Sequence, residues 1–268
     1  MEKPKYINWI AEESGVVFED NTPLNCYTLS YTLDYDILDE WALHLRKHYI
    51  SDDTLTEALL IHSLTPEQYL REFVIPQKKD VYGPVSRSND ITEIVVSDML
   101  EFIFDYTVPR CKQEGRSGKA LSEHGTDVIA YKFYKNDKTP NVNDILVAVE
   151  VKAKLTSDTA DVIISAANDS KKDEQRYAHT LDYYRKKLNS LGNRTQAAEI
   201  ARFQQKSNYN YEMKLIGAAI SSQTTIDKKM IVGITGANLS LQSNQEIFYI
   251  HGSKLMELTH AVYERCIK

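Results

Sequence analysis

Asp127, Glu150 and Lys152 are the residues of this chain whose types and spacing suit the hydrolysis of a phosphodiester. In an extended ILVAVEVKAKL segment, Val147, Val149, Val151 and Ala153 point one way and Ala148, Glu150, Lys152 and Lys154 the other. Glu150 and Lys152 therefore emerge side by side. Asp127 opens the preceding apolar stretch, DVIAYKF, and reaches Glu150 if the two stretches pair as a hairpin. Two carboxylates supply the hard oxygen ligands that Mg²⁺ takes, with Mn²⁺ as a substitute, and the Val151 carbonyl between Glu150 and Lys152 is a further candidate ligand. Such an ion lowers the pKa of an attacking water and neutralises charge on the phosphorus oxygens. A lysine beside it orients that water and stabilises developing charge.

The tripeptide alone is a weak signal. Asp169-Ser170-Lys171, Glu212-Met213-Lys214 and Asp227-Lys228-Lys229 also match acid-x-Lys. Only Glu150-Val151-Lys152 lies inside a strongly alternating strand that follows an aspartate-led one, whereas Glu212 is expected to precede a strand. A half-exposed strand with a Glu–Lys ion pair is the ordinary explanation of such a face. Asp127, in an HGTD turn with no capping duty, is what argues for chemistry.

The elements around this set predict an α/β fold with a mixed central sheet flanked by helices. SNDITEIVVSDMLEFIFDY reads as a helix capped by Ser88, Asn89 or Asp90. A polar stretch, Lys112 to Glu123, leads to strands Asp127 to Tyr134 and Ile145 to Leu155, joined by the turn-rich KNDKTPNVND. Helices are expected over 159–190 and in TQAAEIARFQQK. Strands are expected at Leu215 to Ser221, Lys229 to Thr235 and Ile247 to Ile250, and a last helix near Lys254 to Cys266. Upstream, Val16 to Phe18 and Cys26 to Tyr31 read as short strands. Asp34 to His48 reads as a helix with Leu38, Trp41, Leu45 and His48 on one stripe. A further helix is expected through Asp53 to His62, and another from Thr65-Pro66-Glu67. Pro76 to Arg87 is the best linker. It divides an N-terminal α+β region, 1–80, which is a candidate partner interface, from a catalytic domain, 81–268.

The chain has 268 residues, 42% hydrophobic and 26% charged, as globular domains do. No apolar run approaches the ~18–20 residues that span a bilayer, and the N-terminus lacks a secretory apolar core, so a cytoplasmic location is expected. Cys26, Cys111 and Cys266 show neither metal nor disulfide spacing and are expected to be buried thiols. The formal charge of −6 is unlike that of a free-standing nucleic-acid binder, so either basic residues cluster on one face or a partner supplies affinity. The KKDEQRYAHTLDYYRKKL helix interleaves Lys171, Lys172, Arg176, Arg185, Lys186 and Lys187 with Tyr177, Tyr183 and Tyr184. It is either a backbone-tracking, base-stacking surface or a solvated helix with core tyrosines. Arg116 and Lys119 are candidate phosphate contacts, and His124 is a catalytic helper or, more simply, structural. RSGK lacks P-loop spacing.

Asp127 followed by Glu150-x-Lys152 on consecutive strands after a helix resembles the PD-(D/E)xK nuclease core, a restriction-endonuclease-like fold. HGTDVIAYKF, AVEVKAKL and SAANDSKKD further resemble the HamA family, effector nucleases of the bacterial Hachiman antiviral system. The likeness extends over most of the chain and is clearest between about Glu93 and Asp173. It implies a nuclease that works with a superfamily 2 helicase-like partner and destroys DNA on infection, with Asp127 and Glu150 as metal acids and Lys152 as the lysine. The superfamily's helix glutamate maps to Glu93, with Glu101 as competitor. Thr126 stands where the superfamily has proline. Gln175 is followed four residues later by His179, so the Gln-x-x-x-Tyr element of some relatives is absent. An RNase on the same core and a non-catalytic interaction module are the alternatives.

Overall fold

The computed structural model describes residues 2–121, 123, 125–156, 161–205, 207–223 and 233–267. They form one six-stranded sheet in the order β1-β2-β6-β5-β4-β3. The strands are β1 (Ile10–Glu13), β2 (Asn25–Leu29), β3 (Val128–Lys132), β4 (Ile145–Lys154), β5 (Glu212–Ser222) and β6 (Gln245–Gly252). The four central strands run parallel, and β1 and β3 close the two edges antiparallel. This is the expected mixed sheet. The apolar alternation of β4 holds: Val147 and Val149 are buried on one face and Ala148 on the other.

Helices cover both faces. Against the first lie α1 (Tyr35–Tyr49), α4 (Gly83–Phe102) and the C-terminal α9 (Leu255–Arg265), through Trp41, Leu45, Ile94, Val95, Leu258 and Val262. Against the second lie α5 (Asp161–Ser170), α6 (Asp173–Ser190) and α7 (Arg194–Phe203), through Ile163, Ala166, Leu181, Tyr184 and Ile200. α2 (Asp52–Ile61), α3 (Pro66–Tyr69) and the short α8 (Gly236–Leu239) are the other α-helices among the described residues. Asp34, Ser51 and Thr65 cap α1, α2 and α3, the last as a capping box with Gln68.

Some of these expectations need correction. The first N-terminal strand is Ile10–Glu13, not Val16 to Phe18, and Val17 contributes only an isolated bridge to Pro23. β2 pairs in parallel with β6, so the N-terminal strands join the same sheet as the later ones. α4 begins at Gly83, within the expected linker, with Pro84 in its first turn. A Cβ on Gly83 would lie 1.8 Å from the Gln77 carbonyl oxygen, so the loop folds back on a position that takes only glycine. Ser88, Asn89 and Asp90 are therefore inside the helix, not at its cap. Glu212 opens β5 instead of preceding it. Of the strand expected at Lys229 to Thr235, residues 229–232 lie outside the described residues, and 233–235 are not extended into the sheet.

Candidate active site

The antiparallel register of β3 on β4 pairs Val128 with Val149, and one further step places Asp127 opposite Glu150. The Val151 amide donates to Asp127 Oδ2 at 2.8 Å, which locks the carboxylate onto the neighbouring strand. Lys152 Nζ donates to Glu150 Oε1 at 2.7 Å and lies 2.9 Å from Asp169 Oδ2 at the end of α5. Asp127, Glu150 and Lys152 thus meet as the spacing predicted. Asp169, part of a tripeptide that reads as accidental, joins them.

Two interactions hold the turn that presents Asp127. The Thr126 amide donates to Thr180 Oγ1 at 3.2 Å, and the Thr126 hydroxyl donates to Asp173 Oδ1 at 2.9 Å. Proline could make neither bond, which is a physical reason for threonine in the superfamily's proline place. Gly125 just before it has φ +107°, and a Cβ there would lie 2.9 Å from Thr180 Oγ1. α6 therefore grips the turn through Asp173 and Thr180.

Glu93 is buried on α4 and approaches from the Asp127 side. Its Oε2 accepts from Gln113 Nε2 at 3.1 Å and lies 3.5 Å from Lys112 Nζ, which in turn is 3.1 Å from Asp127 Oδ1. The competitor, Glu101, is engaged elsewhere, with Arg110 at 2.7 Å. Lys112 arrives because the chain leaving α4 bridges to β3 at Thr107–Tyr131 and runs on past the start of that strand.

Burial raises the pKa of three of these acids. Glu93 is pushed up to about 8, with Lys112 opposing the shift and Asp127 adding to it. Asp173 is pushed up to about 7 by burial and by the charges of Glu150 and Asp127. Glu150 is also raised, by burial and then by Asp127, against Lys152. Burial works against the charge of Lys152, but Glu150 and Asp169 outweigh it and raise its pKa. The pocket has more carboxylate than its two ammonium groups neutralise, and Asp173 Oδ2 is buried without a hydrogen-bond partner among the described residues. A hard divalent cation fits this donor set of carboxylate oxygens and the Val151 carbonyl. The buried His44–His48–Asp98 group does not fit one, because the Arg110 guanidinium already lies 2.6 Å from Asp98.

An open cleft of about 710 Å³ lies beside Asp127, lined by Gly125, Gln175, Arg176, His179, Thr180 and Tyr183. Most of the other expected nucleic-acid contacts are committed elsewhere. Arg116 is buried in a two-pronged pair with Asp90, at 2.7 and 2.8 Å. Lys119 is tied to Asp80 and to the Arg71 carbonyl. On α6, Lys172 pairs with Asp169, Arg185 and Lys186 pair with Asp182, and Lys187 donates to the Gly115 carbonyl. Tyr184 is in the core and Tyr177 and Tyr183 pack against it, which is the solvated-helix reading. Arg176 and His179 remain exposed on the cleft. His124 lies outside the described residues.

Lys112, Asp169 and Asp173 were missed from the sequence. Lys112 sits in a polar, proline-containing stretch with no periodicity. Asp173 reads as an ordinary acid in the first turn of a helix.

An acid-bearing helix, an antiparallel pair carrying Asp and Glu-x-Lys, and a return to a parallel strand make this a protein with a PD-(D/E)xK-type α/β core. The HamA family model matches residues 4–266, essentially the whole chain, and the chain belongs to the HamA family, the effector family of the Hachiman anti-phage defence system. No curated protein matches it. Among the described residues, no helix is long and apolar enough to cross a membrane.

Proposed function

We propose that the chain is a Mg²⁺-dependent nuclease that hydrolyses DNA phosphodiester bonds, an effector controlled by a superfamily 2 helicase-like partner. The observation that carries this reading is the fixed Asp127 carboxylate opposite Glu150, with Lys152 at 2.7 Å from Glu150. Asp127, Glu150 and the Val151 carbonyl would hold the ion, which supplies a more acidic water and charge neutralisation at phosphorus. Lys152, with a side chain 30% exposed, is reachable by substrate and holds its ammonium beside Glu150. It orients the attacking water and stabilises charge on the phosphoryl oxygens. Asp169 and Glu150 hold that ammonium charged and in place. Arg176 and His179 guide the DNA backbone along the cleft.

The net charge of −6 and the scarcity of unpaired cations near the cleft among the described residues support DNA delivery by the partner. Residues 1–80 are the proposed docking region, supported by Leu60, Ile61 and Phe73, which are exposed on and after α2. The cytoplasm is the proposed site of action.

The test incubates the purified chain, alone and with the helicase partner, with plasmid DNA, linear DNA and RNA in Mg²⁺, beside a Glu150→Ala/Lys152→Ala variant. DNA cutting that disappears with EDTA and in the variant is expected. Cutting confined to RNA would replace the substrate. Equal inertness of both proteins in every mixture would leave an interaction module.

A further inference from the structure

We infer that the centre takes a single divalent cation, and that the Lys112 ammonium supplies the positive charge a two-metal nuclease takes from its second ion. The inference rests on the nuclease reading of this same site. Two-metal nucleases hold their ions about 3.5–4 Å apart, bridged by a shared carboxylate. Here the shared carboxylate is Asp127. On one side it faces Glu150 and the Val151 backbone. On the other it faces Glu93, and that second half-site is filled. Lys112 Nζ lies 3.1 Å from Asp127 Oδ1, 3.3 Å from the Asp127 carbonyl oxygen and 3.5 Å from Glu93 Oε2. An ion ligated by both Asp127 and Glu93 needs about 2.1 Å to each, which is the space the ammonium takes.

Lys112 is not a surface side chain that happens to fold in. It is 3% exposed, and its chain segment is pinned two residues earlier by Arg110 on Asp98 and Glu101 of α4.

The test counts ions. The full chain is stripped with EDTA, and Mn²⁺ binding is titrated by calorimetry and by the loss of the free-ion electron paramagnetic signal. Asp127→Asn serves to subtract ions bound elsewhere. One Asp127-dependent ion per chain is expected. Lys112→Met, which keeps the length and removes the charge, is expected to bind a second ion and to gain more in melting temperature from Mn²⁺ than the parent does. Two Asp127-dependent ions in the parent would overturn the inference while leaving the nuclease reading intact. So would a Lys112→Met protein that still binds one. No Asp127-dependent ion at all would remove the metal reading beneath both. If Lys112→Met does not fold, the parent stoichiometry decides alone.

Discussion

The Val151 amide donates to the Asp127 carboxylate at 2.8 Å, so the acid of the first strand is set by the backbone of the second. Because the donor is main chain, every side-chain change at 151 other than to proline leaves it in place. The weak point is therefore Asp127 itself. Asparagine at this position still offers an oxygen to the Val151 amide and keeps the turn, but it loses the charge a cation needs. Asp127→Asn is expected to lower DNA hydrolysis by about 1,000-fold, in line with the several kcal/mol a metal contributes. Its melting temperature in EDTA is expected to be no lower than the parent's, since one of several crowded carboxylates is gone. A melting temperature well below the parent's would show that Asp127 is structural instead.

Crowding of acids sets the direction of the pH dependence. Glu93 and Asp173 are raised to about 8 and about 7, chiefly by burial, above the ~4 of unfolded carboxylates. For a raised acid, the folded state binds the proton more tightly. Its stabilising contribution is full below about pH 4 and is lost as pH rises through the folded value. Asp98 has the opposite sign. His44 and Arg110 outweigh its burial and lower it to about 2, so its contribution fades only in strong acid. The metal-free protein is thus expected to melt at progressively lower temperature from about pH 5 to pH 8. Glu93→Gln should flatten that slope, and Mg²⁺ should restore the loss at pH 8. Differential scanning calorimetry in EDTA and in Mg²⁺ checks it. A metal-free melting temperature that climbs over this range would contradict the assignment.

Gly125 joins backbone strain to the site. Its φ of +107° is costly for any residue with a Cβ, and that Cβ would press on Thr180 Oγ1, the acceptor of the Thr126 amide. Gly125→Ala is expected to cost about 1–3 kcal/mol in urea unfolding. It should also reduce activity more than an equally destabilising change in the distant core, because Thr126 and Asp127 shift together. Equal losses would mean that the turn carries only stability.

The hairpin, the face assignment and the convergence of Asp127, Glu150 and Lys152 were legible because a strand's two-residue period fixes which side chains share a face. Ser88 misled as a helix cap because the turn that starts α4 depends on Gly83 meeting the Gln77 carbonyl, a contact between the chain and itself that no local propensity encodes. β2 beside β6 joins residues more than 200 positions apart, which periodicity cannot report. Lys112, Asp169 and Asp173 were invisible for a related reason. Each owes its role to burial beside Asp127 or Glu150, and each looks like a surface charge when read alone.

Arg116 and Arg176 separate two readings of the basic residues. As a phosphate contact, Arg116 would weaken DNA binding when removed and leave stability unchanged. Instead its guanidinium grips Asp90 with two bonds, and Tyr49 also donates to that carboxylate. Arg116→Ala leaves Asp90 buried and short of its counter-ion, so a loss of about 3–5 kcal/mol in stability is expected. Arg176 is exposed on the cleft and forms no such pair among the described residues, so Arg176→Ala should melt with the parent. Measured on the chain with the proposed helicase partner and DNA in Ca²⁺, the salt dependence of binding should lose about 0.9 from its logarithmic slope, one phosphate contact's worth. A variant with an unchanged slope would take Arg176 off the DNA path. A stable Arg116→Ala protein with weakened DNA binding would return Arg116 to it.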